Sequence, residues 1–90
     1  MARVQITFSG NVQGVGFRWN VLQISKNYQV TGYVKNLTNG KVEILAEGAQ
    51  QEVFNMLRNV ESKLKDFWFS KAEEERTGEP HYDTFFIQDS

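Results

Sequence analysis

Three glycines fall within the seven residues Gly10-Asn11-Val12-Gln13-Gly14-Val15-Gly16, between a stretch of alternating apolar residues and a stretch with helical spacing. Ahead of the loop, Val4, Ile6 and Phe8 alternate with polar neighbours and share one face of a strand. Beyond it, Phe17, Val21, Ile24 and Tyr28 recur on one face of a helix. A strand therefore feeds a helix through a glycine loop, and the fold that follows must accommodate both.

The remaining pattern fills in that fold. Val30 to Asn36 and Lys41 to Glu47 read as strands joined through Asn39-Gly40, a pair that tolerates the positive φ of a tight hairpin. From Gln50 onward, Val53, Met56, Leu57, Val60 and Leu64 line a second helix, with Phe54 off the stripe. Phe67, Trp68 and Phe69 open a fourth strand that turns highly charged at Glu73, Glu74, Glu75 and Arg76. Gly78, Glu79 and Pro80 mark a turn, and Tyr82 to Ile87 closes the chain as a short aromatic strand.

The order βαββαβ with an extra C-terminal strand implies an α+β sandwich of the ferredoxin-like type, two helices on one face of a mostly antiparallel sheet. Its first three elements form a split βαβ unit with strand three between strands one and two and a right-handed crossover. The carboxyl ends of strands one and two then share one edge, which brings Asn36 beside the glycine loop.

Ninety residues imply one domain, residues 1–90. Ten basic against eleven acidic residues give a net charge of −1, and the isoelectric point near 5.8 argues against a dedicated nucleic-acid binder. The absence of cysteine removes disulfides, thiolate nucleophiles, iron–sulfur clusters and cysteine-based zinc sites, and the lone His81 excludes a multi-histidine metal site. No N-terminal apolar run reaches signal-peptide length. A cytoplasmic monomer is expected, with no metal, no cofactor, no membrane and no nucleic acid.

The glycine loop offers backbone N–H groups rather than nucleophiles, and it enters a helix whose N-terminus favours an anion. Arg18 stands in the first turn, where a cation opposes the helix dipole; a bidentate hold on phosphate oxygens gives it a reason, and a solvated arginine after a structural turn is the bland alternative. No Gly-Lys-Ser/Thr follows, so this is not a Walker loop, and it is not a dinucleotide fingerprint.

The run Gly10-Asn11-Val12-Gln13-Gly14-Val15-Gly16-Phe17-Arg18 resembles the signature of the acylphosphatase family. Gly32-Tyr33-Val34-Lys35-Asn36-Leu37-Thr38-Asn39-Gly40-Lys41-Val42-Glu43, followed by Glu47-Gly48, resembles that family's second motif, and Tyr82, Phe85 and Ile87 are similar to its close. The resemblance implies hydrolysis of small acyl phosphates to a carboxylate and inorganic phosphate, without metal and without a covalent intermediate. It implies that Arg18 and Asn36 are catalytic, Arg18 holding the phosphoryl group and Asn36 orienting water. It also implies that Asn11, Val12, Gln13, Gly14, Val15, Gly16 and Phe17 bind substrate alongside Arg18, the loop N–H groups cradling its oxygens. Asn11 stands where a basic residue is common, and Thr38-Asn39 where Pro-Asp is frequent; neither removes a proposed catalytic group.

Rival readings rest on less. His81 and Asp83 lack any spacing that supports a serine triad. Consecutive carboxylates Glu73, Glu74 and Glu75 on a strand point to alternate faces and make a solvated edge rather than a metal site. Trp19, Tyr33, Trp68 and Phe69 raise RNA stacking, but the third strand carries Val42, Ile44 and Leu45 where an RNA-recognition domain carries aromatics. A non-catalytic phosphate- or acyl-phosphate-binding module of the same fold is the alternative to the enzyme, and a purely structural domain is a third.

Overall fold

The computed structural model describes residues 1–89. The chain runs β1 (Ala2–Gly10), α1 (Phe17–Ser25), β2 (Val30–Asn36), β3 (Val42–Gly48), α2 (Gln50–Lys63), β4 (Trp68–Glu75) and β5 (Phe85–Ile87). The strands make one sheet in the order β4-β1-β3-β2-β5. β3 is antiparallel to β1 and β2, and β4 is antiparallel to β1, whereas β5 lies parallel to β2. This is the split βαβ arrangement, with α1 as the crossover.

Alternation sorts the two faces. Val4, Ile6 and Phe8 of β1, Val34 of β2, and Val42, Ile44 and Ala46 of β3 join Phe17, Val21, Met56 and Leu57 of the helices in one buried cluster. Ile6 and Val34 both pair with Ile44, so the cluster spans three strands without a break. Each fully buried aliphatic or phenyl side chain contributes about 1.5 to 3 kcal/mol. Trp68 extends the cluster toward β4, its ring 5.2 Å from that of Phe8 and its indole N–H donating to the Glu61 carbonyl.

Some boundaries differ from the sequence expectation. α1 stops at Ser25, because the N–H groups of Lys26, Asn27 and Tyr28 bond to carbonyls three residues back and tighten the chain into turns. Tyr28 therefore leaves the helical stripe, and its hydroxyl accepts a hydrogen bond from Asn59 Nδ2 at 2.9 Å. Lys41 stays outside β3, since its carbonyl accepts the Leu37 N–H and closes the hairpin. The charged edge is paired as well as solvated: Glu73 meets Arg58, Glu74 meets Arg76, and Lys71 meets Glu61. Among the described residues no group of three or more His, Cys, Asp or Glu could hold a metal ion, and no helix is long and apolar enough to cross a membrane.

β4 and β5 lie at opposite edges, so residues 76–84 cross the sheet as a strap over the face away from the helices. Arg3 Nη1 donates to the Thr77 carbonyl, and the N–H groups of His81 and Tyr82 donate to Glu47 Oε1 at 3.0 and 3.3 Å. Glu47 is fully buried and bonded to the Arg3 guanidinium. Burial pushes its carboxyl up, but Arg3 and the two strap N–H groups outweigh that effect and hold it below its ordinary value. The Tyr82 ring meets Tyr33 edge-on at 5.6 Å, and Gly32 N–H donates to the Thr84 carbonyl, which delivers β5 to β2.

Candidate active site

Phe8 and Asn36 both pair with Val42, so the end of β1, the start of β3 and the end of β2 meet at one end of the sheet. The loop of residues 11–16 begins there. Gly14 and Gly16 take φ values of 77° and 79°, a left-handed conformation that costs other residues roughly 1 to 2 kcal/mol. Gly16 occupies the N-cap of α1 with no side-chain cap, and no acidic residue sits in the first turn. The first N–H groups of α1 thus lack intrahelical partners and face no competing carboxylate of their own turn. Asn20 braces the loop exit, its backbone and side-chain N–H groups both donating to the Gly16 carbonyl.

Arg18 projects from that first turn and is half-buried. Arg3, Arg58 and Arg76 each pair with a carboxylate, whereas among the described residues Arg18 has no acidic partner. It borders a cavity of about 150 Å³ that Val12, Gly14, Gly16 and Phe17 also line. Trp19 and Ile87 complete the wall. An unpaired guanidinium, an uncapped helix end and glycine N–H groups around one hollow can hold a phosphoryl group.

Gln13 has a different task from its neighbours. Its Nε2 donates to the carbonyls of Leu37 and Lys41, each at 2.9 Å, and so ties the glycine loop to the β2–β3 hairpin. Asn36 sits at the base of that hairpin, outside the wall of the cavity, and its Oδ1 is buried without a hydrogen-bond partner. An orphaned buried amide oxygen costs about 1 to 3 kcal/mol, a deficit that a bound water would relieve. Asn11 is exposed, and Val15 packs on the core, so only the backbone of Val15 is free for a ligand.

The family model for acylphosphatases matches residues 4–87. The chain belongs to the acylphosphatase family. The acylphosphatase of Methanospirillum hungatei is 45% identical over 60 residues, which span 67% of this chain and 66% of that protein. The crystal structure of the Bacillus subtilis acylphosphatase is similar with a TM-score of 0.80 at 31% identity, covering 98% of this chain and 99% of that one. The probable carbamoyltransferase HypF of Methanocaldococcus jannaschii is 39% identical over 87 residues, 94% of this chain but 11% of that protein. These matches bear out the ferredoxin-like α+β fold.

Sequence reasoning singled out Arg18, Asn36 and the loop; the fold gathers Val12, Gly14, Gly16, Phe17 and Arg18 around one cavity, leaves Asn11, Gln13 and Val15 off its wall, and ties the loop through Gln13 to the hairpin that Asn36 leads into. It did not assign Trp19 or Ile87 to the wall. Trp19 carried a usable signal, an aromatic residue directly after Arg18 and off the buried helical stripe. Ile87 carried none, because only the crossing strap brings it to α1.

Proposed function

We propose that this member of the acylphosphatase family hydrolyses the carboxyl–phosphate bond of small acyl phosphates, releasing a carboxylate and inorganic phosphate. The observation that carries the reading is that, among the described residues, Arg18 alone of the arginines is left without a carboxylate, standing at the uncapped, glycine-lined start of α1. Its fork and the loop N–H groups bind the phosphoryl oxygens and neutralise charge as the transition state develops. Asn36 Oδ1 accepts a hydrogen bond from the attacking water and aims a lone pair at phosphorus. A water oxygen–phosphorus bond forms, the phosphorus–oxygen bond to the acyl group breaks, and that electron pair leaves on the carboxylate. The water proton passes to phosphate or solvent. A carboxylate is a weak base and leaves without a proton donor, so the site has no need of a histidine or cysteine.

The reading extends to a cytoplasmic monomer that acts on the free small molecule, with no nucleic acid and no membrane. Hydrolysis of an aryl acyl phosphate by purified protein, with EDTA present, tests the central claim. Turnover that is lost in folded Arg18→Ala and Asn36→Ala supports it. Phosphate binding without turnover above background would overturn it in favour of an acyl-phosphate-binding module.

A further inference from the structure

The phosphoryl cradle accounts for the polar part of the cavity and leaves its apolar part without a task. Val12 is buried, Ile87 is half-buried, and both line the same hollow as Arg18 and the glycines. Trp19 completes the wall, although 58% of its surface is exposed. That indole keeps apolar surface in water beside the hollow and is not used by the core, which α1 serves through Phe17, Val21 and Ile24. These apolar neighbours border the same hollow as the guanidinium that would hold a phosphoryl group.

We infer that Val12, Trp19 and Ile87 form an acyl subsite for an apolar acyl group, aromatic or branched, with Trp19 its specificity-determining residue. This rests on the acyl-phosphate reading and deepens it. Among the described residues Arg18 is the only charged side chain on the cavity wall, and it is committed to phosphate; none of them brings a carboxylate or side-chain amide to the hollow. A small polar acyl group such as carbamoyl therefore finds no carboxylate or side-chain amide there to accept its N–H groups, whereas a flat apolar group covers indole surface that is otherwise wet. Ile87 comes from the strand delivered by the strap, so the subsite joins the two ends of the chain.

The test compares kcat/KM for benzoyl, acetyl and carbamoyl phosphate in the wild type, Trp19→Ala and Trp19→Phe, with inhibition by inorganic phosphate measured in each. Taking ratios between proteins cancels the different intrinsic reactivities of the three anhydrides. Trp19→Ala is expected to lower kcat/KM for benzoyl phosphate about tenfold more than for acetyl or carbamoyl phosphate, while phosphate inhibition stays within about twofold of wild type and Trp19→Phe keeps most of the preference. Position 19 is exposed and helical, and alanine favours helix, so the variant folds. An equal loss on all three substrates, or an unchanged ratio, overturns the subsite while leaving the hydrolase intact. Failure of the wild type to hydrolyse any of the three overturns both readings together.

Discussion

Glu47 on β3 and Arg3 on β1 face each other in register, and their ion pair lies beneath the strap that carries the chain from one edge of the sheet to the other. Each partner also bonds to the strap, Arg3 through the Thr77 carbonyl and Glu47 through the N–H groups of His81 and Tyr82. A pair buried in this way holds a whole segment in place, and that segment ends in the strand that contributes Ile87 to the cavity.

Glu47→Gln is expected to lower stability by about 3 kcal/mol at neutral pH, because it leaves Arg3 with a reduced partner under the strap. Urea unfolding followed by circular dichroism measures it, and a change below about 0.5 kcal/mol would contradict the clasp.

The same pair sets an acid limit. The Glu47 carboxyl titrates below its ordinary value of 4.5 in the folded chain, so in the acid range the unfolded chain binds the extra proton. Its contribution is complete above the ordinary carboxylate value and is lost as pH falls through the lowered folded value. Melting temperatures taken between neutral pH and about pH 3 should fall less steeply on acidification in Glu47→Gln than in the wild type; parallel curves would show that Glu47 is not the group responsible.

Arg18→Ala is expected to reduce kcat/KM ten- to a hundredfold, since a charge-assisted hydrogen bond is worth about 1.5 to 3 kcal/mol and each 1.36 kcal/mol is tenfold. Arg18→Lys should recover little of this, because a point charge does not reproduce the fork. Full activity in the lysine variant would argue for simple charge neutralisation.

Asn36→Ala should depress kcat while leaving inhibition by inorganic phosphate nearly unchanged, as expected of a group that aims water rather than binding the anion. Equal loss of phosphate binding in the Arg18 and Asn36 variants would remove that division of labour.

Gln13 is predicted to act through Asn36. Gln13→Met keeps length and removes both donors to the hairpin carbonyls, so kcat should fall several-fold in the wild-type background and hardly at all in Asn36→Ala. A double-mutant cycle reads this coupling directly. Additive losses would mean that the bridge serves stability alone.

Much of this was legible in the residues. Val4, Ile6 and Phe8 declared a strand and its buried face, and Val53, Met56, Leu57 and Val60 declared α2, because periodicity reports which side meets the core. The loop and Arg18 were legible because glycine and arginine carry conformational and chemical meaning at short range. Tyr28 misled, since it continued a helical stripe past the point where the backbone tightens into turns. Glu47 entered only as a strand end and as part of the second motif; its burial depends on a strap whose path no local pattern encodes. Ile87 became a cavity residue for the same reason, and Gln13 hid its bridge among the loop positions.

The dependence of the cavity on Ile87 has a consequence for how the site matures on a ribosome. The glycine loop and α1 emerge early, well before the strand that completes the wall. The wall that meets the acyl group must wait until β5 has been synthesised, has crossed the sheet and has docked beside β2. A chain in which β5 has not docked lacks that surface, so the part of the site that discriminates among guests is the last to be completed.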